Sequence, residues 1–384
     1  MGEVVQIVGG GTPDSSNADY WDGDIDWYTP SEIGERRSVE TSARKITPEG
    51  LVHSSARLLP AGSILFTSRA SIGLMAFISR PSATNQGFQS LVPSNNVDSN
   101  FLYALGPYIS RYAKKHAAGS TFIEISGSSL AKAPLRIPSL AEQRRIGEFF
   151  SALDGLIAAA ERQEDLLKQK KQAYLQLMFP QEGETEPRLR FAGFSGEWQQ
   201  KMVGDLVGKT FGGGTPSTSN SEYWIGRLPW IQSSNLADGQ IFRVDVEKHI
   251  SDIALQHSSA QLIPAGSIAV VTHVGVGKLA LVPFEYSTSQ DFISLGDLKC
   301  DSRFLSLALQ ERLRKDLRVV QGSTIKGITK QDLLHKKLTL PKQRDEQARI
   351  ATFLMLFGKT IAQINERKAL LQRMKEAYLQ RLFL

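Results

Sequence analysis

Gly9-Gly10-Gly11-Thr12-Pro13 leads to Tyr20-Trp21 and Trp27, and Gly212-Gly213-Gly214-Thr215-Pro216 leads to Tyr223-Trp224 and Trp230, each landmark recurring 203 residues later. Further out, Pro60-Ala61-Gly62-Ser63-Ile64 returns as Pro264-Ala265-Gly266-Ser267-Ile268, now 204 residues on, which marks a one-residue insertion. Gly119-Ser120-Thr121 returns as Gly322-Ser323-Thr324, and Glu142-Gln143 as Glu346-Gln347. Rare residues held in order over such a length mean duplication. Solenoid periods run ~20–50 residues, so this longer one means two domains and not a repeat array.

The 384 residues exceed one typical core and suit two ordinary domains with connectors. Hydrophobic and charged fractions of 41% and 22% are those of a soluble globular chain. No run approaches ~18 apolar residues, and no basic region followed by an apolar one opens the chain. The expectation is a cytoplasmic protein with no membrane partner. A lone cysteine, Cys300, excludes an internal disulfide and a cysteine-built zinc site, and a buried thiol is expected there. Forty-five Lys plus Arg against 39 Asp plus Glu give +6 and a pI near 9.2, which suits a polyanion, although many proteins with no nucleic-acid role carry as much.

Each copy reads first as a mixed α/β globule, over 1–138 and 199–341. Ser63–Thr67 and Ser267–Val271 are short apolar runs after a turn, the pattern of a buried strand; Phe88 and Leu91, matched by Phe292 and Leu295, mark another. Leu135-Arg136-Ile137-Pro138 and Leu338-Thr339-Leu340-Pro341 alternate apolar with polar and stop at proline, which predicts an edge strand in each copy. Segments 99–116 and 302–319 read as helices.

Long helices follow over 139–180 and 342–384. Counting alternately four and three gives Ile146, Phe150, Leu153, Ile157, Ala160, Glu164, Leu167, Lys171, Tyr174 and Met178 in one. The other gives Ile350, Leu354, Phe357, Ile361, Ile364, Lys368, Leu371, Lys375, Tyr378 and Leu382. This is a heptad seam whose polar exceptions fall at equivalent places. Residues 141–178 alone would make about 57 Å of helix. A helix that long with one apolar stripe must bury it, and the other copy supplies the partner. The expected arrangement is an antiparallel coiled-coil pair on a pseudo-twofold axis, with a domain at each end. Pro180–Pro187 is polar, acidic and bracketed by prolines, so 181–198 reads as a linker. Phe191–Trp198 has no counterpart before Met1-Gly2-Glu3, and its place in the cycle would follow Leu384. The two termini are therefore expected close together.

Gly275-Val276-Gly277-Lys278 invites a phosphate-loop reading, but a glycine is missing five residues before Gly277, and Leu279 stands where Ser or Thr should bind magnesium. A tight turn is the better reading. Asp291 with Asp297 and Lys299 loosely matches a metal-nuclease cluster, yet the counterpart of Asp291 is Gly87. The six histidines form no i, i+4 pair, and neither a Gly-x-Ser-x-Gly elbow nor an Asn-Pro-Pro-aromatic motif is present. No catalytic residue or metal-ligand set is predicted.

What remains is polar side chains on loops, at matching places but differing in identity. Thr29-Pro30-Ser31-Glu32 corresponds to Gln232-Ser233-Ser234-Asn235, Arg69 to His273, and Thr84-Asn85-Gln86 to Thr288-Ser289-Gln290. Arg pairs bidentately with guanine, Asn or Gln with adenine, and Ser or Thr with either. Candidate base readers are thus Ser31, Glu32, Arg69, Asn85, Gln86, Gln232, Ser233, Ser234, Asn235, His273 and Gln290. Each could equally be an Asx or Ser/Thr turn that only closes a loop. The constant parts suit phosphates: Thr12, Ser120, Thr121, Thr215, Ser323 and Thr324, with Lys132, Lys326 and Lys330 nearby.

These features resemble the specificity subunit of type I restriction-modification systems, over essentially the whole chain. The resemblance rests on Gly-Gly-Thr-Pro with a following Tyr-Trp at 10–21 and 213–224, on Gly-Ser-Thr ahead of Ile125 and Ile328, and on Pro138-Ser139-Leu140-Ala141-Glu142-Gln143 leading into the long helix. Pro341 and Glu346-Gln347 stand one residue further apart. It implies two target-recognition domains, each reading one half of a split double-stranded DNA site, with two antiparallel helices as a ruler between them. Two methylase subunits would bind the helices and modify adenine with S-adenosylmethionine, and motor-nuclease subunits would use ATP and magnesium. This chain would hold no cofactor and catalyse nothing. Differing loops imply an asymmetric target. Family members often carry an aromatic lead-in like 191–198 ahead of the first copy, which implies either a shortened first domain here or a chain that begins differently in the cell. The alternatives are the specificity part of a related combined cleavage-methylation system, a metal nuclease at Asp291, Asp297 and Lys299, and a coiled-coil scaffold.

Overall fold

The structure, a computed structural model, describes residues 1–34, 36–119, 123–319 and 327–383. The chain divides into two compact units: Met1–Gln163 with Ile364–Leu384, and Glu164–Gln363. Unit 1 contains β1 (Val5–Gly9), β2 (Trp21–Tyr28), β3 (Ser38–Val39), β4 (Arg44–Ile46), α1 (Pro48–Val52), β5 (Ile64–Phe66), β6 (Met75–Ile78), β7 (Ser82–Thr84), β8 (Gln89–Pro93), α2 (Ser99–Ala104), α3 (Gly106–His116) and α4 (Gly127–Ala131). The helix α5 (Leu140–Met178) begins in unit 1 and runs into unit 2. Unit 2 contains β9 (Gln199–Met202), β10 (Val207–Gly212), β11 (Leu228–Ile231), β12 (Lys248–Ile250), α6 (Asp252–His257), β13 (Ser267–Val271), β14 (Leu279–Val282), β15 (Ser287–Thr288), β16 (Phe292–Leu298), α7 (Ser302–Val319), α8 (Lys330–Leu334) and β17 (Lys337–Leu340). The helix α9 (Arg344–Phe383) closes the chain, its last half in unit 1.

Duplication is visible in the sheets. The order β1-β8-β5-β6 repeats as β10-β16-β13-β14, and β4-β2-β7 as β12-β11-β15. In the smaller sheets β2 pairs parallel with β7, and β11 with β15. The Pro-Ala-Gly-Ser stretch is the turn before β5 and β13: Gly62 and Gly266 hold φ of +83° and +79°, and the Ser63 amide donates to the Pro60 carbonyl at 3.2 Å. That is a type II turn, whose third position only glycine takes without strain. Ile64, Phe66 and Leu91 form the unit 1 core with Phe101, Ile109 and Leu130, and Ile268, Val270 and Leu295 form that of unit 2 with Phe304 and Leu313. Cys300 is buried, and burial pushes its thiol up to about 11. Among the described residues no helix is long and apolar enough to cross a membrane.

Three expectations need correction. Segment 99–116 is two helices, because Pro107 lacks an N–H and its ring disfavours a continuous helix through Leu105. The edge strand exists in one copy only: β17 pairs with β9, whereas 135–138 is not a strand. A strand needs a ladder partner, and among the described residues copy one has no counterpart of β9. Leu135 and Ile137 instead lie against the unit 1 core. The supposed linker 181–198 is packed onto unit 2. Trp198 is buried in its core, the Trp198 amide donates to the Thr185 carbonyl at 2.9 Å, and Arg190 forms a two-pronged ion pair with buried Glu346 at 2.7 and 2.9 Å.

Within unit 1 the start of α5 lies antiparallel to the end of α9. Phe150 meets Phe383 at 6.0 Å, Phe149 meets Tyr378 at 4.9 Å, and Asp154 pairs with Lys375 at 2.7 Å. Within unit 2 the end of α5 lies antiparallel to the start of α9: Tyr174 packs on Phe357 and Phe353, while Met178 shares a core with Ile350 and Leu354. Ile146, Ile157, Leu167, Phe357 and Ile361 are half-buried, and Phe150, Leu153, Ile350, Leu354, Ile364 and Leu371 buried. The seam drifts at its far end. Tyr378 and Leu382 are 39% and 48% exposed, and Leu379 and Phe383 pack instead. A straight helix slips ~20° per heptad against a 3.5-residue repeat, which brings the next residue inward.

The Glu-Gln motif anchors each long helix to its globule. Gln143 accepts from the Asp98 amide at 3.0 Å and donates to the Pro138 carbonyl at 3.0 Å; Gln347 does the same to Asp301 and Pro341 at 2.9 and 2.8 Å. Both side chains are buried, so each bond satisfies a polar group that water cannot reach.

Candidate nucleic-acid interface

The chain leaving β1 crosses the end of β7. Gly11 N–H donates to the Thr84 carbonyl at 2.9 Å, and a side chain at Gly10 would collide with the Asn85 carbonyl. In unit 2 Gly214 N–H donates to Thr288 at 2.8 Å, and a side chain at Gly213 would collide with the Ser289 carbonyl. The tryptophans brace the same loop. Trp27 Nε1 donates to the Gly11 carbonyl at 2.9 Å and Trp230 Nε1 to Gly214 at 3.0 Å. Trp21 and Trp224 reach the carbonyls of Asp14 and Ser217, both at 3.1 Å. Each tryptophan pair meets edge to face at 5.1 Å. The motif that reveals the duplication is thus a brace that fixes one loop.

Other loops join it through bonds that recur in both units. The Asn85 amide donates to the Tyr28 carbonyl at 3.0 Å, Ser68 to Gly87 at 2.8 Å, and Ile125 to Ser68 at 2.9 Å. Their counterparts are Ser289 to Ile231 at 2.9 Å, Thr272 to Asp291 at 2.7 Å, and Ile328 to Thr272 at 2.8 Å. The loops around residues 10–12, 28–32, 68–73, 85–87 and 123–125, and their equivalents, therefore form one cluster per unit.

Most base-reading candidates fall in these clusters, in different states. Ser31 and Ser234 are exposed; Gln232 and Ser233 are half-buried. Arg69 is half-buried beside Glu124, and His273 is exposed with its Nδ1 3.2 Å from Thr272 Oγ1. Gln86 and Gln290 are exposed and hydrogen-bonded to Thr12 and Thr215. Three candidates close loops instead. The Glu32 carboxylate accepts from the Thr29 amide and hydroxyl and from the Ala43 amide, at 2.7, 2.8 and 2.7 Å. Asn235, only 3% exposed, accepts from the Gln232 amide at 2.8 Å. Asn85 accepts from the Gly87 amide at 2.8 Å, an Asx turn.

Among the phosphate candidates, Lys132 is misplaced. It caps the C-terminal end of α4, where the Ala131 carbonyl holds the Gly2 amide at 2.9 Å, before β1 begins, whereas the Thr12 loop lies beyond the end of β1. Lys330 opens α8, two residues after Ile328. Ser120, Thr121, Ser323, Thr324 and Lys326 lie outside the described residues. The nuclease grouping does not assemble: Asp291 precedes β16 and Asp297 lies near its far end, about 20 Å along the strand at ~3.3 Å per residue. Gly275–Lys278 is the tight turn between β13 and β14.

Sequence reading missed one pair. Arg44 lies over Trp21 and Trp27, 3.5 and 5.8 Å from the ring centroids, and Lys248 over Trp224 and Trp230, 5.7 Å from each. Both are exposed and stand 204 residues apart. The signal was a basic residue at the same place in both copies.

The family model for the type I restriction modification DNA specificity domain matches residues 1–169 and 195–373. The chain is 26% identical to the MjaIX type I restriction enzyme specificity subunit of Methanocaldococcus jannaschii, over 99% of this chain and 90% of that one. It is 33% identical to the specificity subunit of an Escherichia coli type I restriction enzyme, over 45% of each. Its fold is similar to that of a type I restriction-modification S subunit from M. genitalium, with a TM-score of 0.67 at 12% identity, covering 100% of this chain and 94% of that one. With two copies of the family's domain spanning both units, the chain belongs to the DNA specificity subunits of type I restriction-modification systems.

Proposed function

We propose that each loop cluster reads one half of a split, asymmetric double-stranded DNA target. One observation carries this: the same inter-loop bonds build the same cluster twice, and the outward side chains differ, Arg69 against His273 and Pro30-Ser31 against Ser233-Ser234. A palindromic target would call for the same side chains in both. Two methylase subunits would dock on the long helices. Support comes from Leu370, Met374, Tyr378 and Leu382, an exposed apolar stripe at i+4 spacing on α9. Modification would use S-adenosylmethionine on the methylase, and cleavage ATP and magnesium on motor-nuclease subunits. This chain supplies recognition and no catalytic group, and works in the cytoplasm. A complex that cleaves and methylates beside its site would use the chain in the same way, and the identity of the partner genes separates the two.

The test is modified-base sequencing of DNA from cells that carry the methylase with Arg69→Ala or His273→Ala. Each lost base contact is worth ~1–3 kcal/mol. Arg69→Ala should relax one half of the methylated motif and His273→Ala the other. Changes in both halves from one substitution would contradict the assignment.

A further inference from the structure

Gln86 and Gln290 occupy matching turns, yet those turns close differently. Asn85 Oδ1 takes the Gly87 amide in unit 1, whereas in unit 2 Ser289 Oγ donates to Asp291 Oδ2 at 3.3 Å. The glutamine nevertheless ends in the same bond. Thr12 Oγ1 donates to Gln86 Oε1 at 2.5 Å, and Thr215 Oγ1 donates to Gln290 Oε1. A bidentate pair with adenine needs both the amide oxygen and the amide nitrogen. Here one of the oxygen's two acceptor sites is taken by the threonine, which fixes the amide in the same place in both units and leaves its NH2 free to donate outward.

The cations Arg44 and Lys248 belong to the same construction. Trp27 donates to Gly11, next to Thr12, and lies below Arg44; Trp230 donates to Gly214, next to Thr215, and lies below Lys248. A site filled by Arg in one copy and Lys in the other keeps its positive charge but not one fixed planar fork, which is what a phosphate contact tolerates. Donors kept constant between two domains whose other loops differ suit the part of DNA that is the same in every sequence.

We infer that Thr12, Gln86 and Arg44, and equally Thr215, Gln290 and Lys248, form one backbone-phosphate clamp per domain, in which the threonine positions the glutamine amide. The glutamines then hold the DNA and do not read it. This rests on the DNA-recognition reading above.

The test uses the full chain assembled with its methylase, a duplex containing the target and an unrelated duplex of equal length. Dissociation constants are measured over a salt series, and the methylated motif is read in cells. Gln86→Ala and Arg44→Met, the latter keeping its stem over the indoles, should each weaken both duplexes by a similar factor of about ten and leave the motif unchanged. Arg44→Met should also lower the salt dependence by about one phosphate contact, and Arg44→Lys should restore it. Gln86→Glu, which keeps the acceptor for Thr12 but loses both donors and adds charge, should weaken binding further. A motif altered in one half by Gln86→Ala would make it a base reader and overturn the clamp, as would unchanged affinity in all variants. A wild-type complex that binds both duplexes alike would sink the recognition reading itself.

Discussion

At Gly10 and Gly213 an added methyl group would meet a backbone carbonyl, and backbone cannot move aside as a flexible side chain can. Gly213→Ala should therefore cost unit 2 about 2 kcal/mol or more and loosen the Thr215 loop, read as a lowered midpoint in denaturant. Asp301 predicts a pH dependence. Burial pushes its carboxyl up, but hydrogen bonds from the Arg303 side chain and the Phe304 amide outweigh this and leave it below the usual value. A depressed folded pKa gives stability that is complete above the unfolded value of ~4 and is lost as pH falls through the folded one. Unit 2 should weaken in acid below that point, and Asp301→Asn should be less stable at neutral pH with a flatter acid limb in denaturation curves. At this scale the sequence was half legible. Glycines and tryptophans announced a constrained loop, but spacing alone could not show that Glu32 and Asn235 turn inward to close 3-10 turns while Ser31 and Ser234 stay exposed.

Elements were legible where their pattern is local and obscure where a distant partner decides. The heptad count located both long helices and placed Glu164, Lys171 and Lys375 among apolar neighbours. In the structure Glu164 is buried with Lys168 at 2.6 Å, Lys375 meets Asp154, and Lys171 is half-buried beside Arg314 and Glu311, with burial holding its pKa down. The strand at 337–340 depends on β9, and the same local pattern at 135–138 yields none. Two substitutions test α5. Leu167→Pro should cost ~3 kcal/mol or more, and methylase assembly or the spacing between half-sites should suffer before half-site identity. Unchanged spacing with full assembly would argue against the ruler. Gly155 has open space around its would-be Cβ, so Gly155→Ala should raise the melting temperature through ~0.5–1 kcal/mol of helix propensity.

For the whole molecule, the repeat told most of the story, because duplication preserves the order of rare residues while the surface between them diverges. What it could not tell is which bases are read, since that depends on loop geometry and on how readily the DNA deforms. We propose that this one chain sets a two-part address for adenine methylation. Modified-base sequencing of DNA from cells carrying a methylase partner gene, with and without this chain, tests it directly. A split, asymmetric methylated motif that appears only with the chain is the predicted result. No such motif, with both proteins shown to be present, would contradict that role.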